Sequence, residues 1–316
     1  MEVKKALILG GNGFLGRRLR AELESTGCQT WVASRTTGDD LLDYHSALKV
    51  VDRHRSVDAI FNCAAHVGSV HYVRENAAVV FSENTQMALN LYRAAGERGL
   101  RCPIVNPLSN CSYPGEAEVQ SEADWWSGPV HDSVMSYGNA KRFIYVLSRC
   151  YQEQHGLRSV NLLVPNSFGP GDYLDPNRTH ALNGMIIRML KARWTNDQEF
   201  KIWGTGRPVR EWGYIDDVAR ILSLSVMRAE AGIEPVNIAQ QKGFSIRESA
   251  EAIASVIGFK GVLSFDSSFG DGAPIKVLGD ETFRTVFPDF EFTDHVEGIR
   301  RTVAYYEEAL LKSEKV

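Results

Sequence analysis

Tyr137 and Lys141, in the run Tyr137-Gly-Asn-Ala-Lys141, are spaced to share one face of a helix. An ammonium beside a phenol favours the phenolate, so the pair can pass a proton to or from a substrate oxygen. Ser109 falls just past an apolar run, where it can hydrogen-bond the same oxygen. A second motif lifts this trio above an ordinary surface pair. Gly10, Gly13 and Gly16, in Gly10-Gly-Asn-Gly-Phe-Leu-Gly16, follow a short apolar run at the start of the chain. The first glycine permits a tight turn, the second lets backbone approach a pyrophosphate, and the third lets a helix pack on a sheet. The helix amino terminus then offers free N–H groups to phosphate. The bland alternative is a strand–helix turn that holds no ligand.

The end of the next strand candidate bears on the cofactor. An NAD site normally offers an acid to the ribose hydroxyls, whereas this chain has Ala33-Ser34-Arg35-Thr36. Arg35 can pair with a 2′-phosphate through charge-assisted hydrogen bonds. The expectation is NADP(H), the alternative for Arg35 being a solvated surface charge.

These groups need elements to hold them. Apolar runs at 6–9, 29–34, 57–63, 103–108 and 159–164 read as buried strands, with helical spacing at 17–27, 44–53, 76–96 and 136–155. Pro107 sits awkwardly in its strand. Alternating strands and helices imply an α/β fold, a Rossmann-type doubly wound parallel sheet. After about residue 168 the pattern becomes irregular, beginning with the turn-rich loop Gly169-Pro-Gly-Asp-Tyr-Leu-Asp-Pro-Asn. The expected organisation is a cofactor-binding domain over 1–168, with a return segment near 214–240. A smaller C-terminal substrate-binding lobe would take 169–213 and 241–316.

Composition narrows the classes. The 316 residues are 44% hydrophobic and carry a net charge of −4, which excludes a disordered chain and leaves no electrostatic footprint for nucleic acid or an anionic membrane. Cysteines 28, 63, 102, 111 and 150 are scattered, with no Cys-x-x-Cys, which argues against a disulfide framework or a metal site and for a reducing compartment. Met1-Glu-Val-Lys-Lys runs into an apolar stretch too short for a signal peptide or a membrane span. The expected location is the cytoplasm.

The chain resembles the extended short-chain dehydrogenase/reductase superfamily. The resemblance rests on the glycine loop (Gly10, Gly13, Phe14, Leu15, Gly16), Asp40-Leu41 as the adenine-contacting pair, Ala64-Ala65, Asn84, Ser109, Tyr137 with Lys141, and Asn166-Ser-Phe-Gly-Pro170. Within it the sequence is most similar to the GDP-L-fucose synthase family, the GDP-4-keto-6-deoxymannose 3,5-epimerase/4-reductases. Ser109-Asn-Cys111-Ser-Tyr-Pro114 resembles its Ser-Ser-Cys-Ile-Tyr-Pro, and His180 falls at its second acid/base. Trp203-Gly-Thr-Gly-Arg-Pro-Val-Arg210-Glu and Asp271-Gly-Ala-Pro-Ile-Lys276 resemble two further family stretches.

The resemblance implies a division of labour. Ser34 and Arg35 join the cofactor residues, as do Tyr137, Lys141 and His180. Cys111 is the base and His180 the acid for protons at C3 and C5 of a 4-keto sugar. Tyr137 donates to O4 as NADPH delivers hydride to C4. Arg188, Arg210 and Lys276 hold the diphosphate and nucleotide, Trp203 packs on sugar or base, and Asn166 lines the substrate. A homodimer paired through helices 76–96 and 136–155 is implied. Each residue has a structural alternative: Cys111 a buried apolar thiol, His180 a backbone-bonded loop histidine, Arg188 a solvent-facing charge, Trp203 a core residue. Asp216-Asp217 reads as a helix cap, and Trp125-Trp126 as either a sugar-lining pair or packing under a loop.

The departures from the family are local. Ala65-His66-Val-Gly-Ser69 stands where the family has Lys-Val-Gly-Gly, His71-Tyr-Val-Arg-Glu75 replaces another family stretch, and Asn12 replaces a basic residue that helps read the 2′-phosphate. They leave open a 4-ketoreductase without epimerase activity, or epimerisation at one carbon. A cofactor-retaining 4-epimerase would need neither Cys111 nor His180. A 4,6-dehydratase would want an acid pair where Asn110-Cys111 stands. A silent NADP-binding scaffold would have no use for Ser109, Tyr137 and Lys141.

Overall fold

The computed structural model describes residues 3–116, 119–175, 178–227 and 235–313. Met1 and Glu2, Pro176 and Asn177 of the loop begun at Gly169, and part of the return segment near 214–240 lie outside the described residues. The chain first alternates strand and helix: β1 (Lys5–Leu9), α1 (Phe14–Ser25), β2 (Gln29–Ala33), α2 (Tyr44–Arg53), β3 (Ala59–Asn62), α3 (Val70–Glu75), α4 (Ala77–Glu97), β4 (Ile104–Ser109), α5 (Met135–His155) and β5 (Ser159–Val164). It continues through β6 (Asn166–Phe168), α6 (Ala181–Trp194), β7 (Glu199–Trp203), β8 (Val209–Tyr214), α7 (Ile215–Ser225) and β9 (Val236–Asn237). The last part holds β10 (Gly243–Ser245), α8 (Ile246–Ile257), β11 (Val262–Asp266), β12 (Ile275–Lys276), α9 (Glu281–Val286) and α10 (His295–Ser313).

Six parallel strands form the main sheet in the order β2-β1-β3-β4-β5-β9. This is the doubly wound parallel sheet that the strand–helix alternation implies. The chain steps outward from β1 to β2 and then crosses back to β3, so a crevice opens between β1 and β3 at their carboxyl ends. Both faces are covered, which explains the near-continuous apolar runs. On one face Ile8, Phe61 and Val105 pack with Leu19 of α1 and Val218 of α7. On the other Leu7, Ile60 and Ile104 pack with Val50 of α2 and Leu91 of α4.

Three asparagines interrupt that apolar sheet in register. Asn62 donates to Asn106 Oδ1 (3.1 Å), and Asn106 donates to Asn161 Oδ1 (3.0 Å) and to the Tyr92 hydroxyl (2.7 Å). Each is at most 5% exposed, so the ladder must satisfy its members internally. Pro107, next along β4, pairs with Leu162 of β5, while β3 has already ended at Asn62. The proline therefore lies beyond the end of one neighbouring strand, where its missing donor breaks no ladder on that side.

The smaller lobe is built of short pieces. β10, β8 and β12 form one sheet with β6 attached to β8, and β7 pairs with β11. Helices α6, α8 and α10 share a core with Phe168, Trp212 and Tyr214. Near its end the chain returns to the first layer, where Phe283, Phe287 and Phe290 pack in the same core as Leu19 and Val218. Asp216 and Asp217 are not caps: Tyr214 occupies the position before α7. Asp216 instead pairs with Arg18 of α1, and Asp217 accepts the Thr293 N–H at 2.7 Å. Both carboxylates sit at the positive end of the helix dipole and tie α7 to its neighbours.

Candidate active site

The crevice at β1 is closed around its glycines. Gly10 has φ +70°, and a Cβ there would lie 2.7 Å from Ala64 Cα. A Cβ at Gly16 would run into the Gly10 carbonyl oxygen, so α1 packs directly on the turn. Gly13 is different: a Cβ would meet only the Gly10 oxygen, at 3.2 Å, which leaves its other side open to a ligand. No side chain caps α1 at Gly13, so its first N–H groups are free for an anion. Phe14 turns its ring to His180, 5.3 Å between centroids, and Leu15 packs against the sheet core.

Ser34 caps a 3₁₀ turn over Arg35–Thr37. The Asn12 amide donates to Ser34 Oγ (3.0 Å) and Thr36 Oγ1 (2.7 Å), knitting the glycine loop to the end of β2. Arg35 is exposed and lines a groove of about 380 Å³ with Ala65, His66, Tyr72, Tyr173 and Arg178. Asn84 of α4 fixes the loop after β3, accepting the His66 N–H at 3.0 Å and donating to its carbonyl at 2.8 Å. Leu41 is buried, its carbonyl held by Asn90 at 2.9 Å, so Asp40 is the exposed member of the pair. A glycine turn with a clear approach, a free helix end and guanidinium groups along one groove fit a phosphorylated dinucleotide.

The groups expected to react gather at the end of β4. A 3₁₀ turn over Asn110–Ser112 follows Ser109, whose Oγ accepts the Cys111 N–H at 3.2 Å. A Cβ at Gly138 would strike the Cys111 carbonyl, so α5 presses on this turn. From below, buried Trp125 donates to Ser112 Oγ at 2.8 Å. Arg142 donates to the carbonyls of Ser112, Gly128 and Trp125 at 2.8, 3.0 and 2.6 Å. Trp125 thus packs under the loop, while Trp126 is exposed.

Lys141 lies one turn beyond Tyr137 on α5. Its Nζ is 5.4 Å from the Tyr137 ring centre and donates to the Pro107 carbonyl at 2.9 Å. Burial pulls the Lys141 pKa down to about 8, against the pull of the Cys63 and Cys111 thiols. Burial, aided by Cys111, pushes the Tyr137 phenol above its ordinary value. The phenol is therefore protonated at neutral pH, the form a proton donor needs.

Cys111 meets the other lobe. Lys276 Nζ, on β12, donates to Cys111 Sγ at 3.7 Å. Arg210, its register partner on β8, donates to the Val209 and Asp271 carbonyls at 2.8 and 3.2 Å. Burial lowers the Arg210 pKa, and the nearby Cys111 and Asp271 oppose that. The amine expected to hold a diphosphate thus rests on the thiol.

His180 precedes α6, its Nδ1 2.9 Å from Asp172 Oδ2. Farther along α6, Arg188 donates to the Lys201 carbonyl at 3.1 Å and lies 4.6 Å from the Trp203 ring centre. Trp203 is 54% exposed and stacks on Phe269 at 5.2 Å, so it is an aromatic shelf and not core. Asn166 is half-buried and donates to the Glu211 carbonyl at 3.4 Å.

Ser109, Cys111, Tyr137, Lys141, Arg210 and Lys276 therefore come together, Phe14 meets His180 near the glycine turn, and Arg188 stacks on Trp203, next to Gly204, which abuts the Asp271 that Arg210 holds. Sequence reasoning missed Asp172, Arg142 and Arg178. It also passed over Glu211, whose carboxylate accepts the N–H groups of Gln240 (2.6 Å) and Leu278 (2.8 Å) and is pushed up to about 7 by burial. Glu211 follows Arg210 inside a recognised motif, a signal that was present; Asp172 stands in a glycine-rich loop that carried none.

A doubly wound sheet with a glycine turn at its first crevice, and Ser, Tyr and Lys at its carboxyl edge, defines a dinucleotide-dependent enzyme of the short-chain type. A model of the NAD dependent epimerase/dehydratase family matches residues 6–239. The chain is 30% identical over 315 residues to a probable GDP-L-fucose synthase of Drosophila melanogaster, covering 96% of this chain and 97% of that one. It is 28% identical over 292 residues to the GDP-L-fucose synthase of Escherichia coli K12, covering 88% and 89%. The crystal structure of a GDP-L-fucose synthetase from Naegleria fowleri bound to NADP superposes with a TM-score of 0.87 at 24% identity, covering 98% of this chain and 95% of that one. The chain belongs to the NAD dependent epimerase/dehydratase family.

Proposed function

We propose that the protein is an NADPH-dependent nucleotide-sugar epimerase/reductase acting on an NDP-4-keto-6-deoxy-hexose. The observation that carries this reading is the meeting of the Cys111 thiol with Lys276, Arg210, Tyr137 and Lys141 in one cleft. A plain reductase or a cofactor-retaining 4-epimerase needs the tyrosine and lysine; it has no use for the thiol. GDP-L-fucose synthases among the relatives support the substrate class.

The 4-keto group acidifies the hydrogens at C3 and C5. Cys111 removes a proton from the ring carbon, and His180 returns one from the other face. The cofactor supplies hydride to C4. Tyr137 donates its proton to O4, Ser109 hydrogen-bonds that oxygen, and Lys141 keeps positive charge beside the phenol as it ionises. Arg188 and Arg210 attract the diphosphate, Trp203 offers its exposed face to the base, and Asn166 borders the substrate. The glycine loop with Ser34, Arg35, Asp40 and Ala65 holds the dinucleotide. We assign the protein to the cytoplasm as a homodimer paired through α4 and α5, where Phe81, Leu89 and Val146 are exposed.

The test offers NADPH and a panel of nucleotide 4-keto-6-deoxy sugars to the purified protein in heavy water. Loss of nicotinamide absorbance with deuterium at C3 and C5 is expected. Oxidation without deuterium would make the protein a 4-ketoreductase. A monomer by mass measurement would count against the helix-paired dimer.

A further inference from the structure

We propose that Asp172 is the positioning residue for His180, holding its imidazole in the Nδ1–H form so that Nε2 is the nitrogen that meets substrate. The kinetic side of this inference rests on the epimerase reading; the structural side does not. Asp172 lies in the loop between β6 and α6, and its side chain is fully buried. Its Oδ2 accepts from Thr179 Oγ1 (2.8 Å), the His180 N–H (2.7 Å) and Asn183 Nδ2 (3.1 Å), and it faces His180 Nδ1 at 2.9 Å. Two of the four groups belong to His180, one backbone and one ring, so the carboxylate fixes both the position and the rotation of that residue. Oδ1 is buried without a hydrogen-bond partner in the described structure. The oxygen that gathers all four groups is the one that faces the ring.

Burial disfavours the charged form of Asp172, but the hydrogen bond and charge of His180, with the neighbouring N–H groups, outweigh it and hold the carboxyl well below the usual range. An ionised carboxylate only accepts, so the ring nitrogen facing it carries the proton. The His180 side chain is 32% exposed and stands beside Phe14, at the glycine end of the cleft. When Nε2–H gives its proton to the ring carbon, the C–H bond forms as the N–H bond breaks. A neutral Nδ1–H imidazole remains, and solvent reprotonates Nε2. The carboxylate stabilises the imidazolium at the start of that step and keeps the ring from turning over.

Nitrogen-15 spectra of the histidine-labelled full chain test this directly, with the His180 signals identified by their loss in His180→Gln. The neutral ring is expected as the Nδ1–H tautomer, moving toward Nε2–H in Asp172→Asn, whose amide can donate as well as accept. An Nε2–H ring in the unmodified protein, or no movement in Asp172→Asn, would overturn the proposal. If that variant does not fold, the tautomer of the unmodified protein still decides. In heavy water, Asp172→Asn should lower deuterium uptake by about 10- to 100-fold, with reduction of an already epimerised ketone changed by less than about threefold. Placed in the His180→Gln background it should cause no further loss; multiplied losses would mean that Asp172 acts independently of the histidine. Thr179→Val removes another bond to the same oxygen and should leave uptake within about threefold; a larger loss would make the loop, not the ring, the object of Asp172. Absence of uptake by the unmodified protein on every sugar would end the epimerase reading, while the tautomer measurement would still judge Asp172.

Discussion

The two walls of the cleft are assembled differently. The wall expected to take the cofactor comes from one sheet and the helices that cover it: the β1–α1 turn, the end of β4 and the first turns of α5. It is backed by a six-stranded sheet and an asparagine ladder that crosses three strands. The wall expected to take the sugar comes from β8, β12, the start of α6 and the loops between them, in strands of two to six residues. Its key contact, Lys276 to Cys111, joins residues 165 positions apart. Hydride and proton transfer at a carbonyl need one fixed geometry, which elements anchored in a single sheet can supply. Under the proposed function the choice of sugar falls to loops, which can change without disturbing the sheet.

That contrast can be broken by substitution, and the largest effect should fall on the cofactor wall. Tyr137→Phe removes the donor to O4 and should cut NADPH oxidation by about a thousandfold, with NADPH affinity changed by less than about threefold in a fluorescence titration. Full activity would end the assignment. Cys111→Ser, where the walls meet, should lower deuterium uptake at C3 and C5 by about a hundredfold and reduction of an epimerised ketone far less. Unchanged uptake would mean that the thiol only packs.

Two smaller effects sharpen the comparison. Arg35→Ala should weaken NADPH by about tenfold, ~1.4 kcal/mol, and leave NADH nearly unchanged. Equal losses would contradict a phosphate-reading role. Burial lowers the Lys141 pKa to about 8, so its positive charge is lost as pH rises through that value. kcat/KM, which reports the free enzyme, should therefore fall above about pH 8. A guanidinium stays protonated there, so the activity left in Lys141→Arg should not fall over the same range.

The strands and helices of the main sheet were legible to within a few residues. The strand expected over 159–164 is β5 to the residue, and the helix over 136–155 starts one residue earlier in the fold, at Met135. Helix α1 begins at Phe14, where the sequence pattern suggested residue 17; Gly13 caps it with no side chain, so no capping residue marked the start. The smaller lobe was less legible. β12 is two residues long, too short to show a period, and exists only because its partner β8 is already in place. The acids of Asp216-Asp217 looked like a cap by position, yet Arg18 and Thr293, each more than seventy residues away, take them up.

Local periods and turn residues encode a parallel sheet, a glycine turn between its first strand and helix, and a tyrosine and lysine on one helix face. Only the tertiary structure decided that Lys276 rests on Cys111, that Trp125 supports the reactive turn while Trp203 stays exposed, and that Asp172 holds His180. Spacing along a chain reports which side chains share a face of one element. Which faces then meet is set by the packing of elements far apart in sequence, and no local pattern carries it.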